Sequence, residues 1–449
     1  MDVLTFEDDL LDLAEFANRF EKFISVEQHF VPESLVLALS SRFGTGKTTF
    51  LRMWRASLEA RDRDDDPLVI IMLNAWESDY YGDPLFAILS NLIEALQSAG
   101  EQAKPIIDAA KDVGWFVAAI GNQIAAKVAG IDAMEAGAFA EKKKNARNSA
   151  SRFDAFSTFE QRKMAMSHLQ SVIGEFINSS NLHVLFLVDE LDRCRPDYAI
   201  SYLETIKHIF DVRGATFVLA ADRNQLENSA KTAFGSDLDF DEYYRKFIHR
   251  EVSLPAISES GYKKMASAYV REYLERDGLR NCFMELDGYR IENIVELVSA
   301  LRLTPRQIQE VFRILGHVFA TSQANRGRLL WCIAAGTIAM AALKVADRYA
   351  YESFGYAKFK PKDAFAFLSS LFADRHLEWW FTLFLTGDGM EIPEGTSAMD
   401  MLVQVGLIEE SAEQSQQDAL GQWRQGWGHS SRNRCSEIRE KIDEIVQWK

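Results

Sequence analysis

The short apolar run from Ser34 to Leu39 breaks off at SSRFGTGKTTFLRMW, so that a strand, a tight glycine loop and a helix start follow one another directly. Three further runs, LVIIML (68–73), HVLFLV (183–188) and ATFVLAA (215–221), are apolar almost throughout and bounded by turn signals or charged residues. That is the pattern of strands buried on both faces. Amphipathic helical spacing fills the intervals, over residues 84–97, 159–177 and 197–210, and also precedes the first strand over 7–25. Strands alternating with helices predict an α/β fold, a parallel sheet joined by right-handed crossovers. Such a sheet binds ligands at the carboxyl ends of its strands. The polar motifs of this chain fall at those ends.

The first of them fits a phosphate-binding loop, with Phe43, Gly44, Thr45, Gly46, Lys47, Thr48 and Thr49 lying between strand and helix. Its glycines let backbone N–H groups turn toward phosphate oxygens, and the helix start adds positive potential. Lys47 can bridge terminal phosphates, and the Thr48 hydroxyl can hold Mg²⁺. Ser41 stands where the loop pattern begins with glycine. The second motif, DELDR, follows HVLFLV directly and sets three acids in four positions. Asp189 is assigned to the Mg²⁺ shell and Glu190 to the base that polarises the attacking water. A charged helix cap would account for only one of these acids. Asp222, at the end of the fourth run, either senses the γ-phosphate and orients that water or is a turn acid.

Composition limits the partners. Fifty Lys and Arg against 66 Asp and Glu give a net charge of −16, which argues against a protein that coats nucleic acid. The four cysteines, Cys194, Cys282, Cys332 and Cys435, lack the paired spacing of a zinc site or a disulfide scaffold. The acidic start, MDVLTFEDDLLDLAEF, is unlike a secretory signal, so a cytoplasmic location is expected. Two apolar stretches, 113–126 and 329–343, fall short of the roughly 18–20 residues needed to span a bilayer. They are read as buried or amphipathic helices. After Pro255 the pattern is helical, over 261–276, 291–301 and 305–319 in particular. The expected layout is a P-loop core over 1–255 that includes a helical, basic insertion at 99–152, a helical lid over 256–350 and a helical C-terminal region over 351–449.

At this point the sequence resembles a known family, the KAP P-loop NTPases. LFLVDELDRCRPDYAISYLETIKHIFDVRGATFVLAADRNQLE is similar to that family's second acidic motif, Asp-Arg-Cys-(Arg/Lys)-Pro element, LExIKxxF helix and AADR strand end. LNAWESDYYGDPL resembles its Asn-Pro/Ala-Trp segment, DEYYRKFIHREVSLP its Tyr-x-x-Lys stretch, and LTPRQIQEVFRIL the Pro-Arg helix of its lid. The resemblance covers about residues 7 to 355. It implies ATP as the nucleotide, hydrolysis by a switch-type ATPase, and an insertion placed where many members carry membrane helices. It also implies an association with bacterial phage exclusion or membrane-linked signalling complexes; a homo-oligomer or an effector protein partner is expected.

Further residues have competing readings. Arg306, on the lid helix, would report the γ-phosphate through a charge-assisted bond or pair with Glu310. Arg250, or Arg245, would act in trans as an arginine finger or be merely solvated. Lys246 matches the family's lysine without an assigned role. Trp76, beside Glu77 at the end of the second strand, is read as a core aromatic. The basic residues Lys142, Lys143, Lys144, Arg147 and Arg152 are read as a solvated loop, with nucleic acid a weak alternative. HLEWWFTLFL (376–385) is read as a buried helix.

Overall fold

The computed structural model describes residues 5–41, 46–61, 68–80, 82–96, 104–106, 108–109, 155–179, 183–276, 279–321, 329–408, 413–428 and 433–446. Most of the 99–152 insertion, its basic run and the 113–126 stretch lie outside them. The chain forms two compact units, Asp2–Pro255 and Ala256–Lys449.

In the first unit, β1 (Leu35–Ser40), β2 (Leu68–Asn74), β3 (His183–Asp189), β4 (Ala215–Ala221) and β5 (Arg250–Ser253) form one sheet in the order β2-β3-β4-β1-β5. All of its pairings are parallel. Helices α1 (Ala14–Glu27), α2 (Lys47–Glu59), α3 (Ala75–Asp79), α4 (Pro84–Leu96), α5 (Ala155–Ser179), α6 (Pro196–Ile209), α7 (Arg223–Phe234) and α8 (Phe240–Arg245) complete the described part of this unit. The strands are apolar on both sides because both faces are covered. Leu35, Leu37 and Leu39 join Phe16, Phe20, Phe50 and Trp54 of α1 and α2 in one core. The alternate residues Val36 and Ala38 join Phe186, Phe217 and the helices α4, α5 and α6 in the other. Phe186 and Phe217 stack with ring centroids 4.3 Å apart across β3 and β4.

Two details depart from the sequence reading. The helix expected from residue 7 begins at Ala14, because the Asp9 carboxylate takes the backbone N–H groups of Leu11, Leu13 and Ala14 and ends the preceding turn there. β5 was not expected. Its residues, Arg-Glu-Val-Ser, are mostly polar, as an edge strand tolerates. Backbone pairing with β1 holds it, extended by His249 N–H to the Val36 carbonyl at 2.9 Å and Leu254 N–H to Ser40 at 3.0 Å.

The described part of the second unit is helical: α9 (Glu259–Leu274), α10 (Gly288–Ala300), α11 (Pro305–Thr321), α12 (Trp331–Ala346), α13 (Arg348–Gly355), α14 (Pro361–Leu371), α15 (Asp374–Thr386), α16 (Ala398–Gln404), α17 (Glu413–Trp427) and α18 (Arg434–Val446). α12 is apolar on every side because it is buried on every side. A Cβ added at Gly336 of this helix would lie 2.5 Å from the Trp427 indole. A Cβ at Gly387 would come within 2.6 Å of the same ring. The indole N–H donates to the Thr386 hydroxyl at 3.0 Å. The HLEWW segment lies in α15, with Trp380 and Phe381 fully buried. Among the described residues, no helix is long and apolar enough to cross a membrane.

Candidate functional site

The strand order decides which side chains meet. β4 separates β1 from β3, so the phosphate loop after β1 and the acids after β3 flank the end of β4. Phe43, Gly44 and Thr45 lie outside the described residues. Gly46 does not, and its φ of +97° is a left-handed conformation that a side chain would strain. It delivers the chain into α2, whose first residues are Lys47, Thr48 and Thr49.

Lys47 is buried, and its ammonium donates to the Ser41 carbonyl at 2.7 Å and lies 4.0 Å from Asp192 Oδ2. The Thr48 hydroxyl lies close enough to the Asp189 carboxylate to lower its pKa. Asp189 ends β3 with 4% exposure, and its Oδ1 accepts the Glu190 N–H at 2.9 Å. Burial, above all, raises the Asp189 pKa above its ordinary value, and the neighbouring Glu190 and Asp192 push it further while the Thr48 hydroxyl and the Glu190 N–H oppose. A buried carboxylate beside a hydroxyl and crowded by like charge is suited to a hard cation such as Mg²⁺. Among the described residues no group of three or more His, Cys, Asp or Glu side chains is arranged to hold a metal. Phosphate and water would complete the shell, as is usual for this ion.

Glu190 adopts φ +60°, uncommon for a residue with a side chain. Its carboxylate is engaged at both oxygens, by Arg193 Nη1 at 2.9 Å on Oε1 and by Asn74 Nδ2 at 3.2 Å on Oε2. Asn74 ends β2 directly across from Asp189. Asp192 accepts the Asp222 N–H at 2.9 Å, while the Asp222 carboxylate caps α7 through Asn224 N–H at 2.9 Å. Lys47, Asp192 and the Asp222 backbone are thus linked by direct contacts, and Asp189 and Glu190 precede Asp192 in the same turn.

Arg250 opens β5 opposite Leu37, short of the strand's carboxyl end, and its Nε is 3.3 Å from Glu27 Oε1. Arg306 lies in the first turn of α11 in the second unit, where Glu310 is engaged by Arg313 at 3.1 Å. Trp76 is not a core residue, since its side chain is 53% exposed with the Arg193 guanidinium 6.0 Å from its ring centroid. The short α3 turns Ala75 and Asp79 inward and Trp76 outward.

Sequence reasoning missed Asn74 and the fastening of α3. Asn74 is the polar residue that closes an apolar strand, and this position was its available signal. Its Oδ1 caps α3, accepting the N–H groups of Trp76 at 3.1 Å and Glu77 at 3.3 Å. Asp79, at the other end of α3, accepts Arg195 Nε at 2.8 Å and Arg195 N–H at 2.9 Å, and Tyr198 OH donates to Ser78 Oγ at 2.9 Å. Between these anchors Cys194 is buried, and its thiol is pushed up to about 12 by desolvation first and nearby Asp79 second. It is a packing residue.

The model of the KAP family P-loop domain matches residues 13–321. No curated protein matches. Similar solved structures include PCH-2 of C. elegans, at 12% identity and a TM-score of 0.33, covering 78% of this chain and 73% of that one. ORC2 of Aeropyrum pernix, in ADPNP–ADP complexes, is 13% identical with a TM-score of 0.37, covering 92% and 94%. Drosophila ORC bound to DNA is 13% identical with a TM-score of 0.33, covering 93% and 90%.

Proposed function

Because this chain belongs to the KAP family of P-loop NTPases, we propose that it binds ATP with Mg²⁺ and hydrolyses it, using the cycle as a switch. The observation that carries this reading is the buried Lys47 at the start of the helix after β1, 4.0 Å from Asp192 and at the same sheet end as the buried Asp189 that closes β3. Phe43, Gly44, Thr45, Gly46 and Thr49 would supply the rest of the phosphate-binding loop.

Lys47 would leave the Ser41 carbonyl for the terminal phosphates, and Thr48 and Asp189 would hold Mg²⁺. The ion, when bound, neutralises phosphate charge. Glu190 takes a proton from the attacking water as that oxygen bonds the γ-phosphorus and the bond to the β,γ-bridging oxygen breaks, giving ADP and phosphate. Asp222 orients the water. Extra positive charge would come from Arg306, or from Arg250 of a neighbouring copy.

Hydrolysis would shift the helical lid and switch assembly or effector recruitment in the cytoplasm. A role in bacterial anti-phage defence or signalling rests on the family resemblance alone. Lys47→Ala should abolish ATP binding. Glu190→Gln should keep binding and lower turnover by about a hundredfold or more. Phosphate release, nucleotide binding and solution mass with and without ATP-Mg²⁺ test this. Wild-type turnover in Glu190→Gln removes the base assignment.

One observation favours a second reading, a nucleotide-dependent scaffold with little hydrolysis: both Glu190 oxygens are already occupied by donors. Tight binding with negligible phosphate release, unchanged by candidate effectors, would support it.

A further inference from the structure

In the helical unit, Arg375, Glu378, Trp379 and Thr382 recur at helical spacing along α15 and so share one face of it. That face lines a cavity of about 230 Å³, whose other walls include Leu420 and Trp423 of α17 and Tyr289 of α10. The volume is below the roughly 300–1,000 Å³ of a small-molecule site and suits one long side chain. Three indoles stand together beside it, with the Trp423 ring centroid 5.4 Å from that of Trp379 and 4.7 Å from that of Trp331. Cations already sit on the neighbouring rings: the Arg290 guanidinium is 4.3 Å from the Trp331 centroid, and that of Arg375 is 5.9 Å from the Tyr289 centroid. The charged residues of the α15 face differ from one another. Arg375 is paired with Glu292 at 3.1 Å, whereas Glu378 is exposed and has no ion-pair partner among the described residues.

We propose that this cavity takes an arginine side chain presented by a partner protein, with its stem against Trp379 and Trp423 and its guanidinium on Glu378. An apolar or acidic occupant would strip water from the Glu378 carboxylate and leave it without a counter-charge. An arginine supplies one. Its planar fork can bond a carboxylate through two N–H groups and lie flat on an indole, which a lysine ammonium cannot do. The whole chain favours the same sign of partner, since a net charge of −16 steers basic surfaces toward it. The proposal goes beyond the ATPase reading, because α15 and α17 lie after residue 321, where the family match ends. It offers a surface for recruiting a partner, and neither reading needs the other to hold.

The experiment uses the full chain without nucleotide, its nine tryptophans replaced by fluorotryptophan, and follows the fluorine NMR signals of Trp379 and Trp423, assigned through Trp379→Phe and Trp423→Phe. The probes are capped tripeptides, acetyl-Gly-X-Gly-amide, with X arginine, lysine, leucine or glutamate. The arginine peptide should shift both signals saturably with a millimolar dissociation constant, as expected of one side chain in one small cavity. Lysine should bind more weakly, and leucine and glutamate should give no saturable shift. Glu378→Gln should weaken the arginine peptide by about threefold to tenfold, with the melting temperature unchanged. Should one tryptophan variant fail to fold, the signal assigned by the other carries the test. Absence of a saturable shift with the arginine peptide overturns the proposal, as does wild-type affinity in Glu378→Gln. An equal or larger response to leucine would make the cavity a purely apolar pocket, and a preference for glutamate would make Arg375 the reader; either result overturns it as well. Because no nucleotide is present, failure here leaves the ATPase reading standing, and a chain without turnover can still bind the arginine peptide.

Discussion

Asp189 is almost closed to solvent, yet Glu190 and Asp192 stand near enough to raise its pKa further after burial has done so. Ionised and without a cation, it carries a desolvation cost that Thr48 and one backbone N–H only partly offset. Asp189→Asn should therefore leave the nucleotide-free protein no less stable, while lowering Mg²⁺-dependent ATP affinity by roughly tenfold or more. Melting curves without nucleotide and ATP titrations with and without Mg²⁺ test the two halves separately. The residues that meet around Asp189 were legible because each follows an apolar run or opens a helix, positions visible without knowing the sheet order. Asn74 was not, since its bond to Glu190 joins positions 116 residues apart. Trp76 misled for a related reason: a large aromatic after a buried strand suggests core. Only the direction in which α3 leaves the strand turns its ring outward.

Among the elements, β1 to β4 were readable because burial on both faces writes a continuous apolar run, and each begins or ends within a residue of that run. β5 carries no such mark. Its register is imposed by the backbone of β1 and by His249, whose Nδ1 accepts the Val36 N–H at 3.0 Å. Burial first, and Lys207 second, hold the His249 pKa below its ordinary value against the opposing pull of Glu33 and Asp211. Protonation at Nδ1 would set one N–H against another. A depressed histidine contributes stability that is complete above its unfolded pKa, roughly 6.5, and is lost as pH falls through the folded value. His249→Asn, which retains an acceptor there, should flatten this part of the acid limb. Urea midpoints of both proteins between about pH 7.5 and 5 would show parallel curves if the histidine contributes nothing.

At the scale of the whole molecule, the two compact units are built by different rules, one by alternation of strand and helix and one by helix packing alone. In the helical unit the indole of Trp427 packs against glycines of α12 and of the segment just past α15, where a Cβ at either would meet it at 2.5–2.6 Å. Gly336→Ala should cost about 1–3 kcal/mol, read as a lower denaturation midpoint. An unchanged midpoint would mean that the ring has room after all. In the sheet unit, the strand order also governs how the protein comes into being. β1 leaves the ribosome before the other strands, but its two neighbours are β4 and β5, so Leu35 meets Thr216 and Ser40 waits for Ser253. At roughly 5–20 residues per second, that wait is on the order of tens of seconds. Throughout it an apolar strand with unpaired edges is open to aggregation or to a chaperone. The phosphate loop is thus among the first parts of this unit to be made and the last to gain a seat, and a chain interrupted before Ser253 carries the loop without one.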